Sequence, residues 1–422
     1  MAQKKRDFLD ELIDIQSDWS ALSRTGDDLV GQFVDDPSEA PVYDPADYKE
    51  RPRANSTYCV TTVLKNPEAC SRCTDVCPVN AIAISGATVR IGEECRKCGL
   101  CSAVCPTEVF QVRKIGSMAL YDQVARVAAA YEQCYVTCTR ALGRLPKDNE
   151  VLLPCVGAMS RELWFDLLCD FPNISVYLPL GICDRCRTTT GEETFSDAIA
   201  EAEEWSGESV GLEVDERDLV REQKRAYKRS QFVSGMTQAG TRLVSRGMPA
   251  LAGAQAVAKR LQDHSRQITS MQVALEKAVG AQSAQKRRRI LTRNRRLLMA
   301  GLQKYPDLAD EIILAFPEVD VDLCTMCGDC AKACTVRALE ISKEGRVTVE
   351  PPYCVNCGAC KVACPEGAIS LTNKTAEELV VPDEKAEERE RQRARAARLK
   401  KKGEKGLKAG LDALEKLANE DE

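Results

Sequence analysis

The sequence predicts an α+β multidomain chain. It is read as two small βαββαβ units built around paired cysteine runs, a central small α/β domain with a parallel sheet, and a long helical segment. Three observations carry this expectation. Two cysteine runs of one spacing stand in tandem between Cys324 and Cys364, and an altered pair stands between Cys70 and Cys105. Between them, apolar strand-like segments alternate with helical ones over residues 116–215. A chain of 422 residues has room for about three domains.

Composition narrows the classes of function. The chain holds 22 cysteines, and its start, Met1-Ala-Gln-Lys-Lys-Arg-Asp7, is charged and leads into an amphipathic helix rather than an export signal. Many cysteines without such a signal point to metal ligation in a reducing cytoplasm, not to disulfides. No apolar run is long enough to span a bilayer. A net charge of −5 gives no footprint for nucleic acid. The single histidine, His264, falls in a polar helical stretch. It is expected at the surface, which leaves little material for histidine acid–base or triad chemistry.

Residues 1–52 read as an arm, with a helix from Arg6 to Ser23 and an apolar stripe of Ile13, Ile15, Trp19 and Leu22. Residues 53–115 follow as the first cysteine-run unit. Cys95, Cys98, Cys101 and Cys105, followed by Pro106, are spaced C-x2-C-x2-C-x3-C. Such a run wraps three thiolates around one 4Fe–4S cluster and sends the fourth to a neighbouring cluster. Before it, Cys70, Cys73 and Cys77 match only the last three positions, and Pro67 occupies the first. By the crossover rule Cys95, Cys98, Cys101 and Cys77 hold one 4Fe–4S cluster, while Cys70, Cys73 and Cys105 give three ligands to a second. Cys59, eleven residues before Cys70, is the favoured fourth. The competing reading is a 3Fe–4S cluster that needs no fourth thiolate. Ala81–Ser85 and Thr88–Ile91 read as a hairpin through Ser85-Gly86.

Residues 116–215 read as a cysteine-containing α/β domain. Strands are expected at Gln133–Cys138, Glu150–Cys155, Ile174–Leu180 and Ser209–Val214, and helices at Met118–Tyr131, Ser160–Asp170 and Thr194–Trp205. Cys138, Cys155, Cys183 and Cys186 all follow strand ends, the edge where open α/β sheets place ligands. Four thiols there suit a 2Fe–2S cluster, a zinc ion or a redox disulfide. Cys134, on the same strand face as Cys138, is a reserve ligand, and Cys169 reads as a small core residue.

Residues 216–316 read as long helices at Asp218–Thr241, Ala250–Val279 and Ser283–Gln303. The basic stretch 286–296 reads first as a solvated helix face, with docking to an acidic partner or to a membrane surface as the sharper options.

Residues 317–374 hold the second unit. Cys324, Cys327, Cys330 and Cys334 form one full run, and Cys354, Cys357, Cys360 and Cys364 another. Crossover assigns Cys324, Cys327, Cys330 and Cys364 to one 4Fe–4S cluster and Cys354, Cys357, Cys360 and Cys334 to the other. Gly328 and Gly358 sit where backbone must pass close to sulfur. Short strands are expected at Ala338–Ser342, Arg346–Glu350 and Ala368–Thr372. Thr335 stands where the other runs have proline. Residues 375–422 read as a charged helical tail.

These runs resemble the two-cluster bacterial ferredoxin family across residues 318–374, and residues 53–115 read as a second, altered ferredoxin-like dicluster copy. The resemblance implies a pseudo-twofold repeat holding two 4Fe–4S clusters. More weakly, Leu153-Pro-Cys-Val-Gly157, Gly181-Ile-Cys-Asp-Arg-Cys186 and Gly191 are similar to the small iron–sulfur (delta) subunit of methyl-viologen-reducing hydrogenase and heterodisulfide reductase complexes. That resemblance implies a 2Fe–2S cluster and electron passage between a dehydrogenase and a flavoprotein. The spacing of the pairs departs from that family.

The functional expectation is a non-catalytic, cytoplasmic iron–sulfur subunit of an oxidoreductase complex. It relays electrons through four 4Fe–4S clusters, and through a 2Fe–2S centre if the central thiols hold one, in anaerobic metabolism. No G-x-G-x-x-G follows a strand and no phosphate loop is present, so bond chemistry falls to a partner. That partner is a flavoprotein or a metal-centred reductase, dehydrogenase or hydrogenase. Two alternatives stand beside this one: a thiol/disulfide-active reductase using the central cysteines, and a cluster-gated assembly or sensing module.

Overall fold

A computed structural model describes residues 51–112, 115–224, 252–278, 289–342 and 345–381. The arm expected over 1–52, apart from its last two residues, and the tail beyond 381 lie outside the described residues. Two compact units are formed: Met1–Thr269 with Gln282–Val380, and Ser270–Ala281 with Val381–Glu422. Of the second, the described residues are 270–278, which end a long helix, and Val381.

The first cysteine-run unit begins with β1 (Arg53–Ala54), α1 (Val60–Leu64) and α2 (Arg72–Asp75). It continues through β2 (Ile82–Ser85), β3 (Thr88–Ile91), α3 (Leu100–Val104) and β4 (Phe110–Gln111). β2 and β3 form an antiparallel hairpin, turned at Gly86 (φ 56°), with Ile82 opposite Ile91. The outer strands β1 and β4 pair antiparallel, Arg53 opposite Gln111. Both ends of the unit are therefore clasped together, and Ile82, Val89, Val109 and Phe110 bury a small core among the cysteines.

The α/β domain is built from α4 (Ser117–Ala130), β5 (Cys134–Cys138), α5 (Thr139–Leu142), β6 (Glu150–Leu153), α6 (Arg161–Asp170), β7 (Ile174–Tyr177), α7 (Gly191–Ser206) and β8 (Gly211–Glu213). Its sheet runs β6-β5-β7-β8, every pairing parallel. All residues of β5, β6 and β7 are buried, as parallel strands covered on both faces must be. Ser160 caps α6, its Oγ accepting the Leu163 amide at 3.3 Å. α6 lies between α7 and α9 (Arg293–Lys304), which is why Leu163, Trp164, Phe165 and Leu167 on every side of it are buried. A Cβ at Gly301 of α9 would come within 2.5 Å of the Phe165 ring. That glycine lets the two helices approach.

The long helix α8 (Ala252–Ala278) precedes α9. Its His264 is not at the surface. It is 4% exposed, its Nε2 lies 2.8 Å from Asp166 Oδ2, and its ring stacks on Tyr121 at 3.9 Å. The polar neighbours Asp263, Ser265 and Arg266 face out while His264 and Ile268, one turn apart, face in. A polar sequence window hid a one-sided helix. Lys304 Nζ joins the same buried group at 2.6 Å from Asp170, to which Tyr121 Oη donates.

Two other expectations about the helical region change. Residues 219–224 are not helical, and Gln223 forms an isolated bridge with Tyr131. Nor do 289–303 form one helix: α9 starts only after Thr292, whose Oγ1 accepts the Arg295 amide at 3.3 Å. The basic residues described here are partly turned inward. Arg289 pairs with Glu340 at 3.0 Å and lies over the Tyr353 ring, and Arg295 is buried. This stretch therefore does not present one solvent-facing basic helix. Lys286, Arg287 and Arg288 lie outside the described residues.

The second cysteine-run unit repeats the arrangement of the first: β9 (Ile313–Val319), α10 (Asp329–Ala333), β10 (Leu339–Ile341), β11 (Val347–Val349), α11 (Ala359–Ala363) and β12 (Ile369–Thr375). β10 and β11 form the inner hairpin, and β9 and β12 pair antiparallel as the outer strands. Among the described residues, no helix is long and apolar enough to cross a membrane.

Candidate metal centres

Each complete run folds by the same local rule. Lys97 and Gly99 (φ 58° and 86°), Met326 and Gly328 (58° and 79°), and Asn356 and Gly358 (56° and 76°) are left-handed, bracketing the second cysteine. Such angles are uncommon outside glycine, so three identical pairs mark one imposed loop shape. The loop folds back on its own sulfurs, and each short helix starts just after the glycine and carries the third cysteine. The residue three past the fourth cysteine is left-handed in every run: Asn80, Glu108, Arg337 and Gly367. That turn aims the next amide at the sulfur. Ala81 N donates to Cys77 Sγ at 3.2 Å, Val109 N to Cys105 Sγ at 3.4 Å, and Ala338 N to Cys334 Sγ at 3.1 Å. Thr335 in place of proline leaves this turn intact.

The incomplete run differs. Ser71 (φ −119°) is not left-handed, and α2 starts directly after it. Cys59 lies instead at the start of α1. Thr61 Oγ1 donates to the Cys70 carbonyl at 3.0 Å, and Thr62 Oγ1 to the Cys59 carbonyl at 2.9 Å. These two threonines tie the α1 turn to both cysteines.

The fold gathers the thiols into sets. Cys59, Cys70, Cys73 and Cys105 line one cavity, roofed by Ile84, Val109 and Phe110. Burial, then Cys105, Cys70 and Cys59, push the Cys73 thiol up to about 12. Burial, with Cys98, Cys95, Cys73 and Cys77 adding to it, raises the Cys101 thiol. Cys334, Cys354, Cys357 and Cys360 line another cavity, and burial with its neighbours raises Cys360 to about 12. Cys330 is raised by burial, with Cys324 and Cys327 adding to it. Cys364 is half-buried at the end of α11, which packs on α10 and so on the Cys330 helix. Cys105 thus lines the cavity of Cys70 and Cys73, and Cys334 lines that of Cys354, Cys357 and Cys360.

In the α/β domain, Cys138, Cys155, Cys183 and Cys186 line one cavity at the C-terminal strand edge. Ala141 N and Thr188 N each donate at 3.4 Å, to Cys138 Sγ and Cys186 Sγ. Arg140 Nη2 holds the loop through the Arg185 carbonyl at 3.0 Å. Cys134 is not part of this group. It lies at the other end of β5, where its Sγ approaches the Val124 carbonyl at 3.9 Å, since four residues of strand span about 13 Å. Gly191 is built against the site: a Cβ there would meet Cys155 Sγ at 2.7 Å. Gly191→Ala is therefore expected to abolish metal binding at these thiols while the runs of 324–364 keep theirs. Iron and zinc per chain by elemental analysis would show it, and unchanged metal content would count against a metal site here.

Among the described residues, no three His, Cys, Asp or Glu side chains stand close enough to hold a single metal ion. The amides aimed at Cys77, Cys105 and Cys334 suit anionic, metal-bound sulfur.

Arg295 is a site residue that the sequence hides within a basic cluster. Buried in α9, it donates through Nη2 to the Cys354 carbonyl and to Asn356 Oδ1, the latter at 2.7 Å. Burial lowers its pKa, and the nearby Cys354 opposes that.

Residues 323–368 match the family model described as a 4Fe-4S dicluster domain. That stretch is an iron–sulfur, ferredoxin-type domain, and it gives the chain an electron-transfer role. No curated protein and no solved structure is significantly similar to the chain.

Proposed function

We propose that the chain is an electron-transfer subunit relaying single electrons through four 4Fe–4S clusters and a 2Fe–2S centre, to or from a partner oxidoreductase of anaerobic metabolism. The observation that carries this reading is the company of Cys59. It lies with Cys70, Cys73 and Cys105 around one cavity, completing a four-thiol set in the run that lacks its first cysteine. The matching outer-strand and hairpin pairings of residues 53–111 and 313–375 support a second dicluster copy. Bound clusters supply reversible one-electron exchange. The thiols hold them, the surrounding apolar residues limit water, and the backbone amides offset charge on the sulfurs. The flavoprotein or metal-centred partner supplies the bond chemistry.

Thiol/disulfide turnover at the central cysteines is the weaker reading. Burial raises Cys138 to about 11 and Cys183 to about 12, whereas reactive cysteines are those whose thiolate is favoured.

Anaerobic iron and sulfide quantitation with EPR tests the proposal. About eighteen irons per chain are expected, sixteen in cubanes and two in the central centre. Cys59→Ser is expected to produce a 3Fe–4S signal that wild type lacks. A count of about eight irons would leave only one dicluster unit loaded, and a 3Fe–4S signal in wild type would remove Cys59 from the ligands.

A further inference from the structure

We propose that the five thiol sets form one unbranched series, with the α/β-domain set as a terminal station beside the Cys77/Cys95/Cys98/Cys101 set. The two dicluster units then meet directly, through the Cys59/Cys70/Cys73/Cys105 set and the Cys334/Cys354/Cys357/Cys360 set. This order rests on the iron–sulfur reading above. In the sequence the α/β domain and a helical segment separate the two units; in the fold they do not.

The first junction is between the units. α1, which follows Cys59, packs on α10 and α11, the helices that carry Cys330 and Cys360. Arg72, Cys105, Val355 and Asn356 line one cleft of about 790 Å³. The loops around the two sets therefore border one cleft.

The second junction is between the first unit and the α/β domain. The turn after Cys155 (Val156–Ala158) packs on α3, the helix of Cys101. A Cβ at Gly99 would fall 2.8 Å from Ala158 Cβ, and one at Gly157 would fall 2.6 Å from Leu100 Cδ2. The two segments thus meet without room for a further methyl group, next to Cys98 on one side and two residues past Cys155 on the other. Thr190 Oγ1 closes the same seam by donating to the Val76 carbonyl at 2.6 Å.

Both ends of the series reach the surface. At one end Cys327 is exposed, with Val321 and Met326 beside it in the chain at 76% and 56% exposed. At the other, Leu180 next to the Cys183–Cys186 loop is 84% exposed. Each step moves one electron: the donor centre is oxidised by one, its neighbour is reduced by one, and no bond or proton changes hands. Electron tunnelling weakens exponentially with distance, so neighbouring order decides the route.

The test is power saturation of the EPR signals in the reduced, full-length holoprotein. Cys95→Ser/Cys98→Ser removes the adjacent spin and is expected to slow relaxation of the central centre several-fold. Cys354→Ser/Cys357→Ser is expected to leave it unchanged. The loop variant Cys183→Ser/Cys186→Ser approaches the order from the other side, without touching either dicluster unit. It is expected to alter saturation of the first unit's signals and spare those of the second. A central centre that responds to loss of the Cys354 set, but not of the Cys95 set, would overturn the order. So would a Cys183→Ser/Cys186→Ser effect on the second unit's signals alone. If wild type carries no iron at the central thiols, the iron count reveals it separately, and the terminal station falls with the cluster reading.

Discussion

Replacing Arg295 with methionine is expected to lower the midpoint potential of the centre at Cys334, Cys354, Cys357 and Cys360 by roughly 90 mV. That is an electrostatic loss of about 2 kcal/mol for a one-electron couple. Reduction adds a negative charge beside a buried cation whose hydrogen-bond partners here are the Cys354 carbonyl and the Asn356 amide oxygen. Neither carries a formal charge, and Glu162 and Arg161 act on the guanidinium in opposite senses, so its field favours the reduced state. Methionine fills similar space and removes the charge. Arg295→Lys should recover part of the potential but not the fork that holds Asn356, whose φ of 56° needs support. Redox titration monitored by EPR measures both variants. A positive shift in Arg295→Met, or none, would sink the assignment of Arg295 as a tuning residue.

Replacing His264 with alanine is expected to destabilise the α/β domain by about 3–5 kcal/mol, because it leaves Asp166 buried without its partner. The histidine side chain is 4% exposed and the aspartate 0%. Burial raises Asp166, while the His264 hydrogen bond and charge, and Lys304, pull it back. The sign with pH follows. A carboxyl raised in the fold contributes stability when protonated, fully below its unfolded pKa, and loses it as pH rises through the folded value. Without His264 that folded value rises further. The penalty is therefore expected to be largest near neutral pH and to shrink on acidification. Replacing both residues with leucine should recover much of the loss. Thermal unfolding followed by circular dichroism across pH would show this. A loss below about 1 kcal/mol would class the pair with exposed ion pairs.

What the sequence reveals and what it hides divide along physical lines. Ligand spacing within a run is a local constraint, because three sulfurs must wrap one small group, and Cys324 to Cys364 can be read by eye. Cys59 is legible only as the nearest unused thiol. Its approach to Cys70 depends on α1 and on hydrogen bonds from Thr61 and Thr62, which no spacing encodes. His264 is hidden because its sequence neighbours are the outward face of α8, while its partners Asp166 and Tyr121 come from distant segments. Cys134 shows the converse error. Parity put it on the face of Cys138, but the length of the strand put it at the far end. The packing of Gly99 on Ala158 joins segments that sequence order keeps apart, so the neighbourhood of the cysteine sets is a property of the fold.

Cys105 faces the cavity of Cys59, Cys70 and Cys73, while Cys101, four residues earlier, belongs by its spacing with Cys95 and Cys98. One short helix therefore belongs to two sites at once. During synthesis the thiols grouped with Cys101 are all present once the chain has passed residue 101, whereas the cavity of Cys59 waits four residues longer for Cys105. The helix that ends the first group is thus the one that delivers the last thiol of the second.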